Sequence, residues 1–386
     1  MGRARGLARI ESMKTKNDRC EALLLELTAL PTAAGKEQRV QAFLDRWLAR
    51  RSKSIRYKRD RAGNLLITRK TRSRKAPILI TAHLDHPGFV VKSINGRDLE
   101  LEFRGGVQDP YFEDARIELF DDADNRHMAR IKSLDATAKP FKIATARLSG
   151  KAPGLSVGDV GRWALGKAAI GRGRLRTNAC DDLAAAAAAL VAYDSIRRRK
   201  GTEHVGLLFT VAEEVGFIGA IDAAKSGFIP KDARLICLEN SRSFAESPIG
   251  GGAIVRVGDR MSIFDQALTN RISDLCLAES TRDPGFLWQR RLMPGGACEA
   301  TAFGTYGYQS TCLCLPLGNY HNMSEIDEVR SGKRPAKVQR EEIALSDFHS
   351  LVRMLVLVSC HLDDKGESPR QRLDALHQRH GHVLFG

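Results

Sequence analysis

Hydrophobic residues follow two different patterns along the chain. Unbroken apolar runs, typical of strands buried on both faces, occur at 78–82, 205–211, 234–238 and 310–317. Apolar residues at helical spacing predict two helices within 20–50 and a long closing helix at 344–362, and alanine content predicts a helix at 183–196. Strands that alternate with helices predict an α/β domain with a mostly parallel sheet covered by helices on both faces.

The second pattern extends from about Pro87 to about Gly166. Short segments in which apolar and polar residues alternate are separated by turn residues, and Asn95-Gly96 between two of them is a strong hairpin signal. No helix is predicted there. The predicted domains are therefore a small, inserted, all-β barrel-like domain at 87–168 and a larger α/β domain formed by 20–86 together with 169–364.

Both ends of the chain are basic and carry no hydrophobic pattern. The segment 1–19 lacks the apolar stretch of a secretory signal, so we predict a disordered leader. The tail at 365–386 is polar and basic, and its composition predicts no regular element. No apolar run approaches the roughly 20 residues that span a bilayer. The sequence therefore predicts a cytoplasmic protein without a membrane partner.

Charge and cysteine content narrow this picture only a little. The formal net charge is +15, but the basic residues are concentrated in segments without the interleaved aromatics of a nucleic-acid stacking platform. We interpret most of this charge as solvated surface, with RNA binding as an alternative. The eight cysteines form no CxxC pair, which favours reduced structural thiols over a zinc ribbon or a redox site.

Potential metal ligands follow the predicted core strands or precede a predicted helix. They are His83, Asp181, Glu214, Glu239 and His321, each in a separate segment. Because ligands bind beyond the carboxyl ends of the strands in parallel α/β sheets, we expect these five side chains to meet. Histidine and carboxylate groups are the usual ligands of catalytic zinc. The convergence is more specific than any one of the five residues.

The five side chains match the needs of a two-metal centre. Two imidazoles and three carboxylates can hold two ions when one carboxylate bridges them. A further carboxylate must stay free to move the proton of the attacking water, and the adjacent Glu213 and Glu214 offer one base and one ligand. Asp85, two residues after His83, is placed to hydrogen-bond the other imidazole nitrogen. We expect Asp182 or a neighbour to cap the alanine-rich helix.

The residues at 20–362 resemble the tetrahedral-assembly (TET-type) aminopeptidases, a glutamyl- and leucyl-aminopeptidase-like group of the co-catalytic zinc exopeptidases. LTALPTAAGKEQRV and DRAGNLLIT are similar to the family's opening helix pair and to its D-x-x-G-N turn. The order H-x-D, β insert, D-D, E-E, acidic residue and terminal His is also the family's order. The α/β domain is then the catalytic domain.

This resemblance implies a metallo-aminopeptidase that removes N-terminal residues from peptides with a hydroxide held between two divalent ions, zinc first and cobalt or manganese as alternatives. The implied ligands are His83, Asp181 and Glu239 for one ion and Asp181, Glu214 and His321 for the other, with Asp181 bridging. Glu213 is the implied general base, while Asp85 orients His83 and Asp182 lies behind the ligands. The resemblance also implies a homo-oligomer, from a dimer up to a dodecamer, with subunit contacts from the insert.

The chain departs from the family's pattern around the substrate. His86 stands where an acidic residue is common, and it is predicted to support the metal ligands, to form the pocket wall or to lie on plain surface. Leu183 replaces an arginine after the Asp pair, and Asn322 replaces a serine after the terminal ligand. These changes leave the metal ligands whole but make the peptide specificity an open question.

Two other functions remain open. Glu239 replaces the commoner aspartate, as in related dinuclear deacylases and carboxypeptidases that act on N-acyl amino acids or small peptides. A non-catalytic binding protein on the same fold is the second alternative, although it predicts a broken ligand set. Gly251 and Gly296 lie in glycine-containing loops that can approach a substrate backbone closely.

Overall fold

The computed structural model describes residues 18–367 and 369–385. The leader predicted at 1–19 therefore falls almost entirely outside the described residues. Within them the chain begins with helix α1, which covers 18–28. This helix and the next one form the helix pair that the sequence predicts within 20–50.

A mixed eight-stranded sheet forms the centre of the fold. Its strands are β1 (Ile55–Arg59), β2 (Leu65–Arg69), β3 (Ile78–His83), β12 (Val205–Thr210), β13 (Arg234–Arg242), β14 (Ala253–Gly258), β15 (Trp288–Leu292) and β16 (Gln309–Leu317). They are ordered β1-β2-β12-β3-β13-β16-β14-β15. The central strands β12, β3, β13 and β16 are parallel, and the strands that flank them pair antiparallel. The predicted mostly parallel sheet is thus confirmed in its central part.

Helices cover both faces of this sheet. The helices that follow α1 along the chain are α2 (Gln38–Ala49), α3 (Leu183–Ile196), α4 (Ile218–Lys225), α5 (Gln266–Arg282), α6 (Glu299–Thr305), α7 (Ile326–Arg330), α8 (Leu345–His361) and α9 (Pro369–His380). Helices α1, α2, α3, α5 and α8 pack on one face, and α4 and α6 pack on the other. Neighbouring residues of β3 face opposite layers, Ile80 towards the first and Leu79 towards the second, which explains its unbroken apolar run.

The inserted strands form a closed barrel. They are β4 (Gly88–Asn95), β5 (Asp98–Arg104), β6 (Arg116–Phe120), β7 (Arg126–Asp135), β8 (Lys142–Leu148) and β9 (Val160–Trp163), in the order β4-β5-β8-β7-β6-β9. The predicted hairpin is confirmed, since Asn95 pairs with Asp98 and Gly96 supplies the positive φ of the turn. Four aromatic rings fill the barrel, with centroids 4.7 to 6.1 Å apart: Phe89, Phe103, Phe112 and Trp163.

A small antiparallel sheet links the barrel to the last part of the α/β domain. Its strands are β10 (Ala169–Gly171), β11 (Arg174–Thr177) and β17 (Glu341–Ala344), in that order. Strand β11 leads to Asp181 and α3, and β17 leads directly to α8. The sheet therefore brings the chain before α8 next to the start of α3.

Several elements have no counterpart in the sequence analysis. Strands β1 and β15, with sequences IRYKR and WQRRL, lie at the two edges of the large sheet, where polar side chains face solvent and no apolar run develops. Helix α9 lies in the basic tail, to which the hydrophobic pattern assigns no element. Within the described residues, no helix has the length and apolar character needed to cross a membrane.

Candidate metal centre

Five segments bring their polar side chains to one edge of the large sheet. His83 is the last residue of β3, and Glu213 and Glu214 follow β12. Glu239 lies within β13, while His321 follows β16 and Asp181 precedes α3. Because β12, β3, β13 and β16 are adjacent and parallel, their carboxyl-terminal halves share one edge of the sheet.

Asp181 lies between the two imidazoles. Its Oδ1 atom is 3.3 Å from Nε2 of His83, and its Oδ2 atom is 3.4 Å from Nε2 of His321. The same Nε2 of His321 is 3.3 Å from Oε1 of Glu214. Asp181 therefore faces each imidazole with a different oxygen, which is the geometry that a bridging carboxylate requires.

Two sets of three ligand atoms lie within 4.8 Å of one another: His83, Asp181 and Glu214, and His83, Glu213 and Glu239. Glu213 is thus as close to His83 as a ligand would be, with Oε2 4.0 Å from Nε2. The buried Oδ1 of Asp181 has no hydrogen-bond donor. Nitrogen and oxygen donors around an unpartnered carboxylate oxygen suit a divalent metal ion of the zinc type.

Backbone carbonyl groups orient both imidazoles. Nδ1 of His83 donates to the carbonyl oxygen of Asp85 at 3.1 Å, and the Asp85 carboxylate lies 3.5 Å from the same nitrogen. Nδ1 of His321 donates to the carbonyl oxygen of Gly106 at 2.7 Å. A donating Nδ1 leaves Nε2 unprotonated and available to a metal. Gly106 belongs to the inserted segment, so the insert takes part in building the centre.

Buried carboxylates hold the turn that carries the two glutamates. Glu213 N–H donates to Oδ1 of Asp85 and Glu214 N–H donates to Oδ2, both at 3.0 Å. Ala212, with a φ of +53°, donates its N–H to Oε1 of Glu37 at 3.0 Å. This conformation is uncommon for a residue with a Cβ, and the three hydrogen bonds stabilise it. Asp85 thus supports both glutamates in addition to contacting His83.

The charges of the centre perturb each other strongly. Burial, and then the neighbouring carboxylates Asp181 and Glu213, raise the pKa of Glu239 well above its ordinary value. Burial also raises the pKa of Glu213. Burial opposes ionisation of Asp181, but the adjacent imidazoles of His321 and His83 bring its pKa well below the ordinary value. Four crowded carboxylates, on Asp181, Glu213, Glu214 and Glu239, carry a charge that two divalent cations would balance.

Two sequence predictions about surrounding residues are wrong, and a third holds in one of its alternatives. His86 is buried and supports a ligand residue, since its Nδ1 donates to the carbonyl oxygen of Asp181 at 2.6 Å, whereas the pocket-wall and surface alternatives are wrong. Asp182 precedes α3, but its side chain makes no capping hydrogen bond. Gly251 does not line the cavity. Asp347 accepts the N–H groups of Gly250 and Gly252, and a Cβ at Gly251 would meet the side chain of Gln289.

Several buried residues lie near the centre although the sequence contains little or no indication of their place there. Glu37 belongs to the AAGKE segment of the family-like stretch, which was its only signal, and burial followed by the charge of Asp85 raises its pKa to about 7. Glu299, at the start of α6, is fully buried, which raises its pKa to about 7. Glu341 begins β17 and binds the backbones of two ligand segments. A local hydrophobic pattern cannot show these contacts because they join distant segments.

A cavity of about 980 Å³ opens in front of Asp181, Glu213, Glu214, Glu239 and His321. Gly296 lines it, as the sequence analysis expects of this loop. Its lining is rich in basic residues and includes Arg242, Arg256, Arg260, Arg291 and Arg330. Its size suits a ligand of a few amino-acid residues.

Arg256 is the most buried of these arginines, with 3% of its surface exposed. Its guanidinium donates at 3.3 Å to three uncharged acceptors, the carbonyl oxygens of Gly258 and Gly296 and the hydroxyl of Ser241. The nearest carboxylate, on Asp259, is 3.9 Å away and already accepts four other hydrogen bonds. A buried cation without a contacting carboxylate is a good receptor for an anionic group.

Comparisons with known proteins agree with this arrangement. A model of the M42 glutamyl aminopeptidase family matches residues 141–337, just over half of the chain. A comparison with curated protein sequences finds no match.

Solved structures with the same fold include several archaeal peptidases. One is a TET aminopeptidase from the marine sediment archaeon Thaumarchaeota archaeon SCGC AB-539-E09, 18% identical, covering 90% of this chain and 98% of that chain with a TM-score of 0.73. Another is aminopeptidase APDkam598 from Desulfurococcus kamchatkensis, 19% identical, covering 90% and 95% with a TM-score of 0.71. A third is the Pyrococcus horikoshii TET1 peptidase, 18% identical, covering 89% and 99% with a TM-score of 0.71.

Proposed function

Because the chain belongs to the M42 glutamyl aminopeptidase family, we propose that this peptidase removes N-terminal residues from short peptides with the help of two divalent metal ions. The α/β domain, 20–86 with 169–364, would carry the catalytic centre. The inserted barrel domain, 87–168, would complete it through Gly106.

One set of distances carries this proposal. Two ligand atoms on a tetrahedral zinc ion, with bonds of about 2.0–2.1 Å, lie about 3.3 Å apart. The separations of Nε2 of His83 from Asp181, of Nε2 of His321 from Asp181 and of Nε2 of His321 from Glu214 are 3.3, 3.4 and 3.3 Å. The ligand atoms of these side chains are therefore as far apart as two ligand atoms that bind the same zinc ion.

We assign one ion to His83, Asp181 and Glu239 and the other to Asp181, Glu214 and His321. When bound, such ions polarise the scissile carbonyl and lower the pKa of the attacking water. Zinc is the first candidate because the donors are imidazole and carboxylate, and cobalt or manganese would suit the same donors.

Glu213 would move the proton during hydrolysis. Its carboxylate accepts a proton from the water that attacks the peptide carbonyl carbon, and it returns that proton to the leaving amine as the C–N bond breaks. Burial raises the pKa of Glu213, which makes its carboxylate a stronger base than an exposed one. The backbone hydrogen bond to Asp85 keeps the base beside the ligands.

The basic lining of the cavity supports a preference for an acidic N-terminal residue. Arg256 hydrogen-bonds Ser241, two residues after Glu239, so its guanidinium lies at the edge of the metal centre. A side-chain carboxylate of a substrate would satisfy this buried cation. The family description, glutamyl aminopeptidase, agrees with this preference.

We also propose that the chain forms a homo-oligomer. Similar structures are described as a dodecamer and as a tetrahedron or a large octahedral shell. Multi-angle light scattering on the purified full chain would measure the assembly, from a dimer up to a dodecamer. A monomer at micromolar concentration would contradict this part of the proposal.

A matched substrate panel tests the function. The metal-depleted protein is assayed on glutamyl, leucyl and lysyl anilides and on their N-acetylated forms, before and after zinc, cobalt or manganese is added. We expect metal-dependent release only from substrates with a free amine, and fastest from the glutamyl substrate. Release of acetate from the N-acetylated forms, with their anilide bond left intact, would favour the deacylase suggested by Glu239. No release from any substrate would favour a binding protein.

A further inference from the structure

Glu341 connects the two segments that meet around the His321 ligand position. It is the first residue of β17, and it is completely buried. Its Oε2 atom accepts the N–H groups of Cys180 and Asp181, at 2.6 and 3.1 Å. Its Oε1 atom accepts the N–H of His321 at 2.8 Å. One carboxylate thus binds the backbones of both Asp181 and His321.

Among the residues that the structure describes, no other single side chain hydrogen-bonds both of these backbones. Asp181 and His321 are 140 residues apart in sequence, and their side chains face each other at 3.4 Å. His86 lies on the other side of Asp181, where Nδ1 contacts its carbonyl oxygen and Nε2 contacts Asn322. Contacts with the backbones of Asp181 and His321 therefore fix the distance between their side chains. Among these contacts, Glu341 connects the two backbones directly.

We propose that Glu341 is a positioning residue that fixes the separation of Asp181 from His321 and thereby sets the affinity of the metal position that these two residues share. The proposal rests on the two-metal function proposed above. Glu341 faces only backbone donors, so it contacts neither substrate nor ion. The position on His83 and Glu239 depends on it less, because β3 and β13 carry two of its three ligands directly and only Asp181 is shared.

An amide cannot replace this carboxylate. Glutamine has one oxygen and one NH₂ group, so its NH₂ must face either the N–H of His321 or the N–H groups of Cys180 and Asp181. Two donors that face each other in a buried site repel and leave the backbone N–H unsatisfied. Glu341→Gln should therefore loosen one of the two segments while it preserves the volume of the side chain.

The adjacent residue provides a matched control. Glu342 is also on β17, but it is only half-buried and binds Arg174 and Arg176, at 2.6 and 2.5 Å. Glu342→Gln makes the same chemical change one residue away and removes a partly exposed ion pair. It should leave metal binding unchanged.

Zinc titrations of the metal-depleted full chain test the proposal by calorimetry and by counting bound ions. We expect two ions in the wild type and in Glu342→Gln. We expect Glu341→Gln to bind one ion about 10–100-fold more weakly, the usual effect of losing a group that supports a ligand, and the other ion with a clearly smaller loss. Cobalt in place of zinc should show the weakened position as a changed visible absorption spectrum.

The remaining outcomes separate this inference from the function beneath it. A wild type that binds no ion pair overturns both. Two normal ions in Glu341→Gln, or equal weakening of both ions, overturns only the role of Glu341. Circular dichroism and thermal unfolding check the fold, and if Glu341→Gln is unfolded, Glu341→Asp, which keeps the charge, is measured in the same way. Failure of both variants to fold would also overturn the proposal.

Discussion

The two histidines of the centre are held by different kinds of structure. His83 ends β3, which pairs on one side with β12 and on the other with β13. His321 lies beyond the end of β16 in a short turn, with a φ of +54°. Its position depends on Gly106 from the insert and on Glu341 from β17.

The pairing of neighbouring strands can thus position one ligand, whereas the other ligand needs hydrogen bonds from residues that are distant in sequence. The ladders around β3 fix His83 as a consequence of strand pairing. His321 is fixed by two hydrogen bonds to residues 215 and 20 positions away in sequence. We therefore expect the His83 side of the centre to be rigid without metal and the His321 side to depend more on the ion.

The largest expected effect belongs to Glu213, the proposed general base, which lies 4.0 Å from His83. Glu213→Gln should lower kcat/KM by about 10²–10⁴-fold, because the amide cannot accept the proton of the attacking water. Steady-state kinetics on the glutamyl anilide measures this loss. Two bound ions should remain, since Glu213 is not an assigned ligand.

Glu203→Gln is the control for this experiment, because Glu203 lies outside the residues that line the cavity and contacts only Arg69 at 3.7 Å. Wild-type kinetics in Glu213→Gln would remove the base from the mechanism. Loss of an ion from that variant would make Glu213 a ligand, as its 4.0 Å approach to His83 allows.

Hydrogen exchange compares the two sides directly. In the metal-free protein, amides of β3 should exchange orders of magnitude more slowly than those of Tyr320, His321 and Asn322, because strand amides open only with the sheet. Zinc should slow exchange at 320–322 by roughly tenfold or more and change β3 little. Mass spectrometry of peptic fragments measures both. Equal protection of the two segments without metal would remove the contrast.

The same contrast explains what the sequence could predict. The unbroken apolar runs identify β3, β12, β13 and β16, and residues at their ends share one edge by the geometry of parallel strands. His83, Glu214, Glu239 and His321 could therefore be expected to meet, with Asp181 beside them from its place before the alanine-rich helix. The family resemblance then divided these five ligands between two ions.

The supports of the centre could not be predicted in this way. Glu341 acts on residues 160 and 20 positions away through backbone N–H groups, and such contacts leave no local pattern. His86 is a second example, in which a visible departure from the family's motif left several surroundings open. It suggested support of the ligands, the substrate pocket or the surface, and the residue is buried against the backbone of Asp181.

The free energy of unfolding should depend on pH through Glu37, which lies on the His83 side of the centre. Glu37 supports Ala212, and burial followed by the charge of Asp85 raises its pKa from 4.5 to about 7 in the folded state. The folded state then binds the proton more tightly than the unfolded state, so this group's stabilisation is complete below about pH 4.5 and is lost as the pH rises through 7. The loss is at most about 3 kcal/mol.

Glu37→Gln removes this titration. Chemical unfolding of the metal-free forms should give equal free energies of unfolding near pH 4.5 and a more stable variant above pH 7. Glu26→Gln, at an exposed glutamate, should follow the wild type at every pH. A constant difference between Glu37→Gln and the wild type would show that Glu37 has an ordinary pKa.

The smallest expected effect concerns the connection between the insert and the His321 side. The hydroxyl of Tyr111 donates to the carbonyl oxygen of Ser324 at 2.5 Å, and both residues are buried. Tyr111→Phe should lower the free energy of unfolding by about 1 kcal/mol, the usual cost of one buried hydrogen bond. Thermal unfolding should show this loss, while Tyr57→Phe, at a residue that is 54% exposed, should not. The kcat/KM of Tyr111→Phe should stay within about twofold of the wild type, because Gly106 and Glu341 still hold His321 and a 1 kcal/mol loss spread over the segment moves neither bond. A larger fall would mean that the segment after His321, rather than these two bonds, positions the ligand.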